Sequence, residues 1–368
     1  MRKVILTIWI SVFLVACKHP IEIIGGGDVL SESGDRDCTL EDLQAQATVC
    51  ADNTVNDDYL ETYYAQARPG WQFSGWGYYC PDNGLSNECT FNLSKEFMDA
   101  FPIEEAAPLI AYFRREVDEG HNALLMGHSF FKPFVGALPG DAAAAGFEDH
   151  SQIDFFSGGS GGAPLSFWNH QQLSAQIKAA LDEGGFTLLG MTYYPLQENG
   201  VTVAENLQGY KNWINYALAK SPNLKVFIGM PWGRNSNQLT YKQYYNEWKV
   251  GHEEVHDFVD ALRADYPGMD IYCLPYGLAV MELNKRFESG QLPDIIGEVG
   301  AGPDYMFSDE LGHHGPIVFD LARLVWLRAI YGVELATHNF SYANEWQADL
   351  VEIANLAMNR HDHYYDAR

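Results

Sequence analysis

The stretch that decides the fold is Asn122-Ala-Leu-Leu-Met-Gly-His-Ser129-Phe-Phe, in which a short apolar run ends in Gly-His-Ser. A buried strand that ends in this way presents a serine at the carboxyl edge of a sheet, where open α/β folds place their chemistry. Far downstream, Phe307-Ser-Asp309-Glu-Leu-Gly-His313-His314-Gly supplies a late aspartate and histidine. Together these residues predict a nucleophile, a base and a carboxylate that orients the base.

Helical and strand-like segments alternate from about residue 103 onward, as they do in doubly wound α/β chains. The predicted strands are 123–126, a strand ending at 155–156, 186–194, 225–230 and 269–273. The predicted helices are 104–119, 171–182, 205–220, 241–264 and 316–331. This order predicts an α/β domain with a mainly parallel sheet.

The two motifs resemble those of the SGNH (GDSL-like) hydrolases. Gly127-His128-Ser129 occupies the place of that family's Gly-Asp-Ser block, and Asp309 with His313 occupies the place of its Asp-x-x-His block. The resemblance covers residues 105–332. It implies a three-layer α/β/α, flavodoxin-like fold and an esterase or acylhydrolase without metal or cofactor. Ser129 would be the nucleophile, His313 the base and Asp309 the residue that orients it.

The same resemblance implies an oxyanion hole in the glycine-rich stretch 157–161. The family's second block donates a glycine N–H, and Gly159 is our first choice for it, with Gly158 next and the Ser129 amide as the second donor. The family's third block, Gly-x-Asn, has no match, because the stretch 189–195 contains no asparagine. Thr192, Tyr193 or Asn199 could take that role instead.

The acid and the base each have an alternative. Asp309 lies one residue further from His313 than in the family, and Glu310 lies at the family's spacing. His314 could also replace His313. His128 is expected to be a neighbour of the nucleophile, since successive strand residues point to opposite faces. Ser129 could instead merely cap the following helix.

Three rival functions remain open. His252-Glu-Glu-Val-His256 matches the zinc-protease pattern, although no third histidine follows at the spacing of a metzincin. Glu198 and Glu298 could be the carboxylate pair of a (β/α)8 glycoside hydrolase, but few strands precede residue 186. A surface glycan-binding lipoprotein that has lost its chemistry is the third.

The N-terminus resembles a bacterial lipoprotein signal. Met1-Arg-Lys precedes an apolar run that is too short for a typical membrane span and ends in Leu14-Val-Ala-Cys17. This resemblance implies cleavage before Cys17, lipid on its sulfur and anchoring in the cell envelope, with Lys18 favouring the outer membrane. Residues 18–37 have the composition of a flexible tether.

Five cysteines follow Cys17, and export makes disulfides the expected state. Cys38 with Cys50 and Cys80 with Cys89 are the natural pairs by proximity, whereas Cys273 is expected to be a buried free thiol. We therefore divide the chain into a signal at 1–17, the tether, a Cys/Trp-rich module at 38–100, the hydrolase domain at 101–340 and a helical tail at 341–368.

A formal charge of −26 argues against nucleic acid, polyanionic glycans and anionic lipid headgroups as partners, because the field of the protein would repel them. Aromatic residues make up 14% of the chain and could provide stacking surfaces for sugars. The expected partner is a small-molecule or glycan ester, with contact to a membrane through the lipid anchor alone.

Overall fold

The computed structural model describes residues 17–18, 20–51, 53–55, 58–77, 79–80, 86–96, 108–233 and 241–368. The chain forms two compact units, one comprising Met1–Pro69 and Gly75–Phe113 and the other Gly70–Ser74 and Arg114–Arg368. Most of the predicted signal lies outside the described residues, as does the side chain of Cys17. Across the described ranges, no helix is both long and apolar enough to cross a bilayer.

The N-terminal part of the chain consists mainly of strands. Strand β3 (Gly27–Ser31) pairs antiparallel with β5 (Tyr59–Ala67), which pairs antiparallel with β7 (Glu88–Leu93). Strand β2 (Ile21–Ile24) pairs in parallel with β8 (Leu109–Arg115). The described residues of this part also form β1 (Cys17–Lys18), β4 (Thr54–Val55), β6 (Trp71–Gly77), α1 (Leu40–Gln44) and α2 (Thr48–Ala51).

Both predicted disulfides are confirmed, because Cys38 bonds to Cys50 and Cys80 bonds to Cys89. Cys273 is a buried free thiol, as predicted, and burial raises its pKa.

Two predictions about this part of the chain are wrong. The supposed tether over 18–37 contains β2 and β3, which are held by backbone hydrogen bonds to strands far away in the sequence. The supposed helix over 104–119 contains the largely buried strand β8, which pairs with β2 through its first four residues. A short apolar run has no periodicity that separates a strand from a buried helix, so its pairing partner decides.

The second unit contains a five-stranded parallel sheet. Its strands are β9 (Asn122–Gly127), β10 (Ser151–Phe156), β11 (Leu188–Thr192), β12 (Lys225–Gly229) and β13 (Ile271–Leu274). The strand order is β10-β9-β11-β12-β13, with every neighbour parallel. The chain therefore adds a strand to one side of β9 and then crosses to the other side. Ligand crevices of open α/β sheets lie at such a reversal, outside the carboxyl ends of the strands.

Eight helices accompany this sheet in the described residues: α3 (Lys132–Ala144), α4 (Pro164–Asn169), α5 (Gln171–Glu183), α6 (Val203–Leu218), α7 (Tyr241–Asp265), α8 (Tyr276–Glu288), α9 (Pro316–Tyr331) and α10 (Leu350–Arg360). A short parallel pair, β14 (Gly297–Val299) and β15 (Tyr305–Phe307), precedes α9. The predicted helical tail over 341–368 contains α10 and two short 3₁₀ turns.

Side chains of β9 alternate between two hydrophobic clusters. Ala123 and Leu125 pack in the cluster that includes residues of α3, α8, α9 and α10. Leu124 and Met126 pack in the cluster that includes residues of α5, α6 and α7. Because a strand buried on both faces needs apolar residues at every position, β9 is an unbroken apolar run after its first residue, Asn122. The predicted α/β class and parallel sheet are confirmed.

Candidate active site

Ser129 lies at a tight turn between β9 and α3. The amides of Phe131 and Lys132 both donate to the His128 carbonyl, at 2.9 and 3.0 Å, so the chain turns into the helix directly after the strand. A Cβ on Gly127 would lie 2.6 Å from the ring of Phe131, so a larger residue would push this turn apart. The turn leaves the Ser129 hydroxyl at the carboxyl edge of the sheet, half-buried.

A chain of hydrogen bonds joins Ser129 to the downstream loop. Ser129 Oγ lies 2.9 Å from His313 Nε2, and His313 Nδ1 lies 2.7 Å from Asp309 Oδ2. Because an ionised carboxylate only accepts hydrogen bonds, this contact assigns the proton of the neutral imidazole to Nδ1. The lone pair of Nε2 then faces the serine hydroxyl, as a general base requires.

Backbone amides hold Asp309 in place. Its Oδ1 accepts hydrogen bonds from the amides of Leu311 and His313, at 3.0 and 3.1 Å. Burial alone would raise the pKa of Asp309, but hydrogen bonds from the side chain and backbone of His313 outweigh it and lower the pKa below its usual value. The carboxylate is therefore ionised near neutral pH.

The loop that carries Asp309 and His313 is fixed from both sides. Trp232 donates from Nε1 to the Gly312 carbonyl at 2.7 Å, and the Ser308 amide donates to the His313 carbonyl at 2.8 Å. The ring of Phe130 stacks on the His313 imidazole with centroids 5.1 Å apart. These contacts position the imidazole before any substrate binds, which catalysis by a preorganised site requires.

The alternative acid and base lie elsewhere. Glu310 is exposed, and the carboxylate that contacts His313 belongs to Asp309. His314 packs between the rings of Phe134 and Phe319, with centroid distances of 5.9 and 5.2 Å. Burial lowers the pKa of His314. The geometry thus brings Ser129, His313 and Asp309 together and turns their neighbours away.

His128 points into the sheet rather than toward the serine. Its Nε2 lies 3.2 Å from Oγ1 of Thr192, at the end of β11, and its Nδ1 accepts from the Phe130 amide at 3.3 Å. Thr192 is fully buried. Sequence reasoning named Thr192 only as a stand-in for the missing asparagine, and nothing in the sequence pairs it with His128.

The glycine-rich stretch packs against the nucleophile turn. Ser157 donates from its amide to the Gly127 carbonyl at 3.2 Å, and a Cβ on Gly162 would lie 2.6 Å from that same oxygen. Gly159 opens a 3₁₀ turn over Gly159–Gly162 with φ of +53°, a conformation that favours glycine. A Cβ on Gly158 would meet no atom within 4 Å, so the stretch is open on that side.

Asn199 does not join this group. It is exposed at the end of the 3₁₀ turn Leu196–Asn199. Within the described chain, no hydrogen bond connects it to Ser129 or His313. The structure therefore offers no counterpart of the missing asparagine at this position.

The residues of the rival functions fall in other places. The described sheet is open and five-stranded, which contradicts an eight-stranded barrel. Glu298 is half-buried and accepts from Asn284 at 2.8 Å, whereas the side chain of Glu198 lies outside the described atoms. His252 and His256 lie on α7, where a third histidine that the sequence analysis missed, His361, joins them.

Comparison with known proteins yields little. No protein-family model matches the sequence, and no curated protein matches it significantly. Among solved structures, the chain is similar to a DUF4886 family protein from Bacteroides uniformis, with 16% identity and a TM-score of 0.46 over 67% of this chain and 96% of that one. A similarity this weak carries no argument about function.

Proposed function

We propose that this protein is a serine hydrolase that cleaves carboxylic esters. The observation that carries the proposal is the continuous set of contacts from Ser129 Oγ through the two nitrogens of His313 to Asp309, at 2.9 and 2.7 Å. A nucleophile, a base and a group that orients the base are the parts that acyl transfer needs. A role for Ser129 as a helix cap alone would not explain why the His313 imidazole, held by Asp309, faces its hydroxyl.

The proposed ester hydrolysis uses Ser129, His313 and Asp309 in two half-reactions. Ser129 Oγ attacks the ester carbonyl while its proton moves to His313 Nε2, and a tetrahedral intermediate forms. The intermediate collapses as His313 returns that proton to the departing alkoxide, which leaves as the alcohol, and the acyl group stays on Ser129. Water then attacks the acyl-enzyme with the same base and releases the acid. Asp309 stabilises the imidazolium formed in each half-reaction.

The oxyanion needs donors that are fixed in advance. We propose the amides of Ser129 and Gly159, with Gly158 as the alternative, because the glycine-rich stretch packs against the Gly127 carbonyl beside the nucleophile. Two amides aimed at the developing charge in a partly desolvated site would stabilise the transition state by several kcal/mol.

We also propose the detailed fold, the cellular location and the substrate class of this hydrolase. Strand order, the two clusters on alternate faces of β9 and the nucleophile position support a three-layer, flavodoxin-like SGNH fold. Export as a lipoprotein through Cys17, an acylated glycan as the substrate class, and a lipid or small ester as the alternative all rest on the sequence features above. Nucleic acid is not proposed as a partner.

A covalent probe tests the nucleophile without knowledge of the substrate. A fluorophosphonate loses fluoride as its phosphorus bonds to the activated serine oxygen. We expect it to label the wild type and a Ser289→Ala control, whose serine caps the end of α8, but not Ser129→Ala. Hydrolysis of a short-chain acyl ester should fall in parallel, by at least about 10⁴-fold.

The folded state is checked separately. Replacing Ser129 by alanine should change the free energy of unfolding by less than about 1 kcal/mol, measured by chemical denaturation. Equal labelling of wild type and Ser129→Ala, or ester hydrolysis that survives the change, would overturn the proposal.

A further inference from the structure

Three histidines converge outside the candidate active site. His252 and His256 lie one turn apart on α7, and His361 follows the last residue of α10. One ring nitrogen from each lies within 4.8 Å of the other two. The closest pair is His256 Nε2 and His361 Nε2, at 3.2 Å. Two imidazoles from α7 and one from the residue after α10 thus point at one small volume.

The chemical state of His361 is set by a carboxylate. His361 Nδ1 lies 3.0 Å from Asp366 Oδ1, so Nδ1 donates and Nε2 presents its lone pair to the cluster. A carboxylate behind the non-binding nitrogen is the usual outer partner of a histidine that binds a metal.

The separation of one pair of these nitrogens suits a tetrahedral ion. Zinc binds histidine nitrogen at about 2.0–2.1 Å, and two ligands of a regular tetrahedron with that bond length lie about 3.3–3.4 Å apart. The observed 3.2 Å between His256 Nε2 and His361 Nε2 is close to this edge.

Surrounding residues hold two of the three rings. The ring of Tyr365 stacks on His256 with centroids 3.7 Å apart, and its hydroxyl donates to Asp260 on α7 at 2.8 Å. Asp366 holds His361 from behind. Ligand rings fixed by outer contacts lose little freedom when they bind an ion, which favours binding.

The neighbouring glutamate argues against a protease at this place. In the zinc-protease pattern the glutamate activates a metal-bound water. Here Glu253 is exposed and pairs with Lys249 one turn earlier on the helix, at 3.7 Å. A link between two segments is therefore a better interpretation of the cluster than hydrolysis.

We propose that His252, His256 and His361 bind one divalent transition-metal ion, with zinc as the best fit, and that the ion ties the C-terminal segment after α10 to α7. Imidazole suits zinc, copper and nickel, and three histidines leave a fourth position for water. The proposal is independent of the serine hydrolase chemistry, which we predict to use no metal.

Zinc binding by the purified full chain tests this inference, after removal of any histidine tag. The protein is dialysed against a chelator, titrated with zinc, and titrated in parallel with cobalt(II), whose visible absorption reports tetrahedral coordination. We expect one zinc per chain, a cobalt spectrum of the tetrahedral type and a higher melting temperature with zinc.

Histidine variants distinguish the loss of a metal ligand from a general disturbance of the packing around it. His361→Asn keeps a donor to Asp366 but lacks the binding nitrogen, and His256→Gln removes a second ligand. His363→Asn is the matched control, since His363 Nδ1 contacts the other oxygen of Asp366 at 2.7 Å and lies outside the cluster. Removing an outer partner costs about 10–100-fold in affinity, so losing a ligand should cost at least about 100-fold.

The control should bind zinc within a few-fold of wild type. If His361→Asn proves unfolded by circular dichroism, His252→Gln on the half-buried face of α7 decides the question, and it should also lose zinc. A wild type that retains no zinc after the titration, or ligand variants that bind as tightly as the His363→Asn control, would overturn the proposal.

Discussion

Two histidine–carboxylate pairs of this protein have the same internal arrangement and different surroundings. His313 Nδ1 contacts Asp309 at 2.7 Å, and His361 Nδ1 contacts Asp366 at 3.0 Å. In each pair the carboxylate assigns the proton to Nδ1 and leaves Nε2 with its lone pair. Nε2 of one pair faces a hydroxyl, whereas Nε2 of the other faces a second imidazole. The neighbour of Nε2 therefore decides whether the pair suits proton transfer or metal binding.

The two histidine–carboxylate pairs also differ in how far their side chains are exposed to solvent. The side chains of His313 and Asp309 are 30% and 46% exposed, whereas those of His361 and Asp366 are 0% and 11% exposed. A base that serves a substrate must be reached from solvent. A ligand that holds two segments together needs no such access and gains from a water-poor surrounding.

The largest expected effect comes from the base itself. His313→Gln should lower kcat for ester hydrolysis by about 10⁴–10⁶-fold, because the serine loses its proton acceptor. His314→Gln is the matched control and should retain activity within about 10-fold, since His314 packs between Phe134 and Phe319. Steady-state kinetics on a short acyl ester measure kcat for both variants and show which histidine is the base. The reverse ranking would make His314 the base.

The second largest effect is expected from the carboxylate of Asp309. Asp309→Asn should lower kcat by about 10³–10⁴-fold, because an amide can stabilise the wrong tautomer of His313 and cannot stabilise its charged form. Glu310→Gln, one residue away and exposed, should change kcat by less than about 3-fold. Comparable losses in both variants would mean that the loop matters as a whole and that Asp309 has no special role.

A further buried histidine, His121, extends the comparison from catalysis and metal binding to protein stability. Burial, together with the positive charge of Lys225, lowers the pKa of His121 to about 4, and its Nδ1 lies 3.0 Å from Thr187 Oγ1. The unfolded histidine titrates near 6.5, so between pH 6.5 and 4 the unfolded state binds more protons and stability falls with falling pH.

His121→Gln should remove this acid sensitivity. From the two pKa values we expect the variant to lose about 2–3 kcal/mol less than wild type between pH 7 and pH 4. Urea denaturation at several pH values measures the difference in slope, whatever constant cost the substitution has. Parallel pH profiles for the two proteins would show that His121 does not titrate on unfolding.

The smallest expected effect tests the discarded protease function. Glu253→Gln should leave ester hydrolysis and zinc binding unchanged and alter stability by less than about 0.5 kcal/mol, because its ion pair with Lys249 is exposed. Protease activity that appears with zinc and disappears in this variant would instead place a catalytic water at the three histidines.

Much of the fold was predictable from local patterns. Strands β9, β11, β12 and β13 are mainly apolar runs, and each was predicted to within a few residues, whereas only the end of the more polar β10 was predicted. Helices α4 and α8 were missed, and α3 was anticipated only as the helix that follows Ser129. Pro133, Gly136 and Pro139 interrupt the pattern of α3, and the first nine residues of α8 are all buried, so burial there follows no single helix face. The N-terminal strands were missed because their partners lie far away in sequence.

The sequence by itself determined the α/β class and the set of residues from which the candidate site is drawn, and it suggested both disulfide pairs by proximity, which the structure then showed. It could not choose between Asp309 and Glu310 or between His313 and His314, because a shift of one position in a loop changes which side chain faces the serine. Nor could it add His361 to the pair on α7, since 105 residues separate it from His256. Only the packing of distant segments decides such contacts, because it fixes where each loop and helix end points.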